Sequence, residues 1–532
     1  MVQNSFCVRF ENDIIKMISN MNKKQFIAIC GLLGAMTVQA QPLLKTHVET
    51  GDLEGVLDGT DLAVYKAIPF AAPPVGDLRW KAPQPAKPWK GVLKAEECAK
   101  WPPQPERGDV SYDMMSEDCL YLSVVTPAKT VDEALPVIVY IHGGGFMTEH
   151  YSATLWQNLA RRGVITVSIA YRVGALGFLA HPELSKESPN GHSGNYGILD
   201  QIFALQWIQR NIKNFGGDPS KVTIFGESSG GMSCNILCAS PLAKGLFRAC
   251  ISHSGAFFTP MHPLTQRDAE TWGVKYQERL GKKSVEELRQ MNSRSLTGEG
   301  VYPPCTPVFD GYVLNAELFD LYERGEYNDV PVIVMYNNDE GAGIESVTLD
   351  EYQEELRDYP EQFVDSMFIC YPAENEEQAL FAIRDMVRDL NYAADIDSWA
   401  KMQTKTGKSP VYYAYFAQKS ERTILGRGNL RGAAHADDCL YVGGAFDNEP
   451  EKYPHEYAVS EMLQQYWTNF AKHMNPNGKG LPYWPAFSLD PKEECVMQFR
   501  NGATLIANPN QESVGLMERL FDWTRSQRTI KP

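Results

Sequence analysis

The sequence predicts an α/β fold, a central and mostly parallel mixed sheet with helices on both faces. Three observations predict it. Short apolar, β-branched runs alternate with amphipathic segments along the chain, the pattern of a parallel sheet covered by helices. Chemistry-bearing motifs stand where such runs end, spread from residue 142 to residue 435. No Pro/Ser-rich linker, low-complexity tract or repeat separates those motifs. A chain of 532 residues carries a prior of about three or four domains, but motifs that interleave and must converge call for one. The expected division is an N-terminal extension and targeting segment over residues 1–40 and a single domain over residues 41–532.

The elements follow in order. Asn22-Lys23-Lys24 is a short basic start, and Phe26 to Met36 is an apolar stretch too short to span a membrane. Val38-Gln39-Ala40 then offers small residues for cleavage, so the mature chain is expected to begin at Gln41 in a secreted or periplasmic protein, with Met21 a candidate start. Val137 to Ile141 reads as a buried strand and runs into His142-Gly143-Gly144-Gly145-Phe146. Ala153 to Arg162, ended by Gly163, reads as a helix, and Val164 to Ala180 as a strand and turn. Leu199 to Ile212 is an amphipathic helix with Leu199, Ile202, Leu205, Ile208 and Ile212 on one face. Val222 to Phe225 is a strand, Gly226-Glu227-Ser228-Ser229-Gly230 a tight turn, and Gly231 to Ala239 a helix. Val330 to Tyr336 leads to Asp339-Glu340-Gly341, and Val411 to Phe416 precedes Gly432-Ala433-Ala434-His435-Ala436.

Strand, turn and helix around G-x-S-x-G make a nucleophile elbow, in which a strained backbone lifts the Ser228 hydroxyl above the sheet edge. Side chains at 226 or 230 would clash, hence glycine at both. The glycine run after His142 suits a second need of acyl transfer, aimed N–H donors for the oxygen that gains charge. Gly144, Gly145 and Ser229 are the expected donors. A hydroxyl also needs a base, and the base an orienting acid. Among 10 histidines, His435 has small neighbours that let an imidazole project into a cleft. His253 follows a strand but precedes the expected acid, and His262, His455 and His473 lie in Pro-rich or polar surroundings. For the acid, spacing leaves Asp339 and Glu340 both open.

On these motifs the chain resembles the type-B carboxylesterases of the alpha/beta-hydrolase fold, a family that also includes cholinesterases, bile-salt-activated lipases and the non-catalytic neuroligins. The likeness runs from about Gly51 to Trp484. It includes Ile68-Pro69-Phe70-Ala71-Ala72-Pro73-Pro74-Val75-Gly76, Glu117-Asp118-Cys119-Leu120-Tyr121-Leu122, Gly194-Asn195-Tyr196-Gly197, Asn214-Phe215-Gly216-Gly217-Asp218-Pro219 and Tyr466-Trp467-Thr468-Asn469-Phe470-Ala471. The resemblance implies Ser228 as nucleophile, His435 as general acid and base, and Glu340 as orienting acid. It gives Glu227 a supporting or purely structural place near the site, and it implies a disulfide between Cys98 and Cys119. The chain departs from the family pattern at Ser229, where alanine is usual, and at Met335, Ala67 and Cys439.

Composition narrows the function further. The formal charge is −16, and loss of residues 1–40, with four basic and two acidic groups, makes it −18. Such a surface argues against nucleic acid and anionic membranes as partners. No Cys/His cluster has metal-ligand spacing, so neither metal nor cofactor is expected. Of 11 cysteines, Cys234 and Cys238 are expected to be buried free thiols. The expected partner is a small-molecule ester, cleaved by a serine carboxylesterase; short acyl esters fit best. The choline-binding tryptophan of cholinesterases has no counterpart between Gly108 and Asp113. The alternatives are a lipase, amidase or thioesterase of the same mechanism, or a neuroligin-like binding protein on the same fold. Nothing in the sequence sets the oligomeric state.

Overall fold

The computed structural model describes residues 41–260, 264–297, 306–421, 430–446 and 449–529. The targeting segment expected before Gln41 lies outside these residues, as does His262. Eleven strands make the central sheet. They are β1 (Val56–Asp58), β2 (Leu62–Pro69), β3 (Tyr121–Thr126), β4 (Leu135–Ile141), β5 (Ile165–Ile169), β6 (Gly217–Glu227), β7 (Ala249–His253), β8 (Val332–Asn337), β9 (Val411–Phe416), β10 (Val496–Phe499) and β11 (Ala503–Ile506). Their spatial order is β11-β10-β9-β8-β7-β6-β4-β5-β3-β2-β1. From β10 across to β5 every neighbouring pair is parallel. The pairs outside that block are antiparallel. This is the mixed, mostly parallel sheet that the alternating elements predict.

The central strands are apolar on both faces, as helices on both sides require. In β4, Val137, Val139 and Ile141 join one core cluster and Ile138 and Tyr140 the other. The same alternation divides Val332 and Val334 from Ile333 and Met335 in β8, and Val411 and Tyr413 from Tyr412 and Ala414 in β9. Burial of each such large apolar side chain contributes about 1.5–3 kcal/mol. Of the helices, α1 spans Gln157–Ala160, α2 Tyr196–Asn211, α3 Ser229–Ala239, α4 Asp437–Gly443 and α5 Pro454–His473. Helix α2 lays Ile198, Ile202, Leu205 and Ile208 on the first face, and α5 lays Val459, Leu463, Tyr466, Trp467 and Phe470 on the second.

Two expectations are corrected. The helix expected over Ala153 to Arg162 shrinks to the four residues of α1. The Ser152 hydroxyl accepts the Leu155 N–H at 3.1 Å, but the next backbone bond, from the Gln157 N–H to the Thr154 oxygen at 3.3 Å, closes over three residues, a tighter turn than the α-helix. The disulfide implied between Cys98 and Cys119 is not formed, and both are free thiols. Cys119 is buried and borders a small cavity with Pro102, Pro103 and Arg172, whereas Cys98 is exposed. Cys234 and Cys238 are buried free thiols, as expected.

The elbow leaves no room for side chains at residues 226 and 230. A Cβ at Gly226 would lie 2.1 Å from the Gly230 oxygen, and one at Gly230 would lie 2.1 Å from the Ile141 oxygen. Both obstacles are backbone, which cannot turn aside. Gly230→Ala is therefore expected to destabilise the fold by about 3 kcal/mol or more. Thermal unfolding checks this; a midpoint within a degree or two of wild type would contradict it.

Candidate active site

Three strand ends and one loop supply the site. At the end of β6 the chain turns sharply into α3, and Ser228 takes φ 56° and ψ −127°. This conformation is costly for a residue with a Cβ and persists only where the surroundings enforce it. The Ser228 N–H donates to the His253 oxygen at 2.9 Å, and the Ser228 oxygen accepts the Met232 N–H at 2.9 Å. Ser229 opens α3, where a backbone N–H has no intrahelical acceptor.

The glycine run follows β4 and lies against Ser228. A Cβ at Gly143 would lie 3.0 Å from the Ser228 Cβ. Gly144 and Gly145 have φ 94° and 62°, and a Cβ on Gly144 would strike the Thr148 oxygen at 2.3 Å. The hydroxyl of Ser229, the residue that departs from the usual alanine, accepts the Phe146 N–H at 3.1 Å and so ties this loop to α3. The His142 ring stacks on Tyr171 at 4.2 Å. Burial pulls the His142 imidazole down to about 4, so it is neutral and packs as an aromatic.

After β8 the chain makes a single 3-10 turn, Glu340–Gly343. Glu340 Oε2 stands 2.6 Å from His435 Nδ1. The other oxygen, Oε1, accepts the Ser254 hydroxyl at 2.5 Å and the Asn337 N–H at 2.7 Å. Asp339, the acid that spacing left open, points elsewhere: its Oδ2 accepts the Arg431 N–H at 2.8 Å. The turn also grips the histidine loop through its backbone, with the Asp339 N–H on the Ala433 oxygen at 2.9 Å. Asn338 Oδ1 accepts the Ala433 N–H at 2.7 Å.

His435 Nε2 lies 3.2 Å from Glu227 Oε1. Among the described residues no hydrogen bond joins Nε2 to the Ser228 hydroxyl, a looseness common before substrate binds. Burial pushes the Glu227 carboxyl up to about 8. Burial also disfavours a charged His435, but the Glu227 and Glu340 carboxylates outweigh it and raise its proton affinity above the ordinary histidine range. Glu227 and His435 thus titrate as a pair. Because the Glu227 carboxylate raises His435, Glu227→Gln is expected to move the acid limb of kcat/KM to lower pH. A pH–rate profile whose limb stays in place would contradict this.

The structure brings Ser228, Glu227, Glu340, His435 and the glycine run together. His455 and His473 are exposed, and His253 is wholly buried beside Asp438. Sequence reasoning missed Ser254, Asn337 and Tyr392. The Tyr392 ring lies 4.7 Å from the His435 ring, on the π-helical turn Asp389–Ala393. π-turns are frequent at functional sites, but no motif in the sequence marks this one. Ser254 carries a signal, since it follows the β7 strand directly within Ser252-His253-Ser254-Gly255.

Residues 41–517 match the model of the carboxylesterase family. A fumonisin B1 esterase of Sphingopyxis macrogoltabida is 34% identical over 502 residues, covering 87% of this chain and 88% of that protein. Carboxylesterase 1F of Mus musculus is 32% identical over 529 residues, covering 88% and 91%. A medium-chain fatty acyl-CoA hydrolase precursor of Anas platyrhynchos is 34% identical over 475 residues, covering 80% and 83%.

Proposed function

The chain belongs to the carboxylesterase family and is a carboxylic ester hydrolase, and from that premise we propose that it works through an acyl-enzyme on Ser228. The observation that carries the proposal is the carboxylate–imidazole contact of 2.6 Å between Glu340 and His435, beside a serine in strained left-handed backbone. Substrate binding turns His435 Nε2 from Glu227 to the Ser228 hydroxyl. Ser228 Oγ attacks the ester carbonyl as its proton passes to Nε2. The N–H groups of Gly144, Gly145 and Ser229 stabilise the oxyanion, each worth on the order of 3 kcal/mol in the transition state. The tetrahedral intermediate collapses, and the imidazolium protonates the departing alcohol. A water, deprotonated by the same Nε2, attacks the acyl carbon and releases the acid and free Ser228. Throughout, Glu340 holds the Nδ1–H and balances the charge of the imidazolium.

The proposed substrates are short acyl esters, with thioesters a second class, favoured by the acyl-CoA hydrolase among the relatives. The proposed location is secreted or periplasmic, supported by the basic and apolar residues before Gln41. No described helix is long and apolar enough to cross a membrane. The test is turnover of p-nitrophenyl acetate, butyrate and palmitate, followed by labelling with an organophosphate and peptide mass analysis. Turnover favouring the short esters, with one adduct on the Ser228 peptide, is expected. Full inhibition with the adduct on another residue would sink the mechanism.

A further inference from the structure

Behind the site lies a second histidine–carboxylate pair that the proposed mechanism does not use. His253 is the last residue of β7, and Asp438 is the second residue of α4, three after His435. Both side chains are wholly buried, and Nδ1 of His253 contacts Oδ2 of Asp438. The surroundings are aromatic, with the Phe225 ring 4.6 Å and the Trp467 ring 5.2 Å from the imidazole. Two buried polar groups in such a wall are tolerated as a pair and costly singly. Burial works against an ionised Asp438, but His253 and the Asn337 amide outweigh it and hold the carboxyl below its ordinary range.

Each partner is tied to a different part of the site. The backbone oxygen of His253 accepts the Ser228 N–H, and the hydroxyl of the next residue, Ser254, donates to Glu340. Asp438 Oδ1 accepts from the Asn337 side-chain amide at 2.9 Å. The same amide donates to the Ala434 oxygen at 2.8 Å, one residue before His435. The pair therefore closes a ring of contacts running from the nucleophile's support through the acid turn to the histidine loop.

We propose that His253 and Asp438 are positioning residues of the hydrolytic site, a buried pair that holds the Ser228 turn and the His435 loop in register. The proposal rests on the acyl-enzyme reading above. Neither side chain touches substrate; both act through the backbone and through Asn337. The pair also sets the field at the base. His435 faces Glu227 from the end of β6, Glu340 from the turn after β8, the Tyr392 ring, and Asp438 from α4, the helix that begins two residues after it. The pair itself faces His435, the Cys439 thiol and the Tyr140 hydroxyl. The Asp438 carboxylate raises the proton affinity of His435. Its neutralisation must lower that affinity, and activity then survives to lower pH.

The test uses the full chain with Asp438→Asn alone and with His253→Gln and Asp438→Asn together, beside Ser228→Ala. The double variant keeps a hydrogen-bonding pair without charge, so its thermal midpoint should recover most of what the single variant loses. In the single variant kcat is expected to fall about tenfold with KM within about twofold, as for a lost interaction made in the transition state, and the double variant should regain most of that loss. In both, the acid limb of kcat/KM should move to lower pH. A purely structural pair would change the midpoint and leave the limb in place. The proposal is overturned if the single variant keeps wild-type kcat, or if the double variant keeps the wild-type acid limb or fails to fold. Failure of the acyl-enzyme reading would show separately, as undiminished turnover by Ser228→Ala.

Discussion

Ser228→Ala is expected to lower kcat for p-nitrophenyl butyrate by roughly 10⁴- to 10⁶-fold, the scale of losing a catalytic nucleophile. The oxyanion donors are backbone N–H groups and survive the change, so a small residual rate above water is expected. The fold should also survive, because alanine carries the same Cβ into the same strained conformation of φ 56°. Ser228→Gly gives the complementary result. Glycine relieves the left-handed strain, so that variant should be equally inactive yet more stable by about 1 kcal/mol or more. Steady-state turnover beside thermal unfolding reads both, and a Ser228→Ala protein retaining a tenth of wild-type kcat would exclude Ser228 as the nucleophile.

Glu340→Gln is expected to cost about 10⁴-fold in kcat with little change in structure. The two sides of this carboxylate are not equivalent. Oε1 receives two donors, the Ser254 hydroxyl and the Asn337 N–H, so a glutamine places its carbonyl oxygen there. Its NH₂ must then face His435 Nδ1 at the position of Oε2. Two donors cannot share that contact, so the imidazole moves its proton to Nε2, the nitrogen that must accept one from Ser228. The rate of organophosphate labelling should fall in parallel with kcat. A variant that labels at the wild-type rate would show that Glu340 does not set the tautomer.

What the sequence made legible was whatever fixes residue type. The elbow declares itself because glycine is compelled at 226 by the Gly230 backbone and at 230 by the Ile141 oxygen, and the run after His142 because its φ values demand it. The strands were legible from apolar runs; Val411–Phe416 has the bounds expected of it. Spacing could not separate Asp339 from Glu340, since the two differ only in what they meet across the loop, Arg431 in one case and His435 in the other. Ser254, Asn337 and Tyr392 reach the site from other elements, with 86 positions between Ser254 and Glu340. The implied Cys98 to Cys119 bridge rests on family likeness alone, and in the structure Cys119 is a buried free thiol while Cys98 is exposed.

The strained serine has a consequence for how the chain acquires activity. Its turn is enforced by residues 141, 230 and 253, which lie on β4, α3 and β7. No local segment can hold that backbone by itself, so the Ser228 turn is shaped only once β4, β7 and the β6–α3 unit have docked. During refolding from denaturant, helical ellipticity should return before esterase turnover, and the lag between them times the closure of the central sheet.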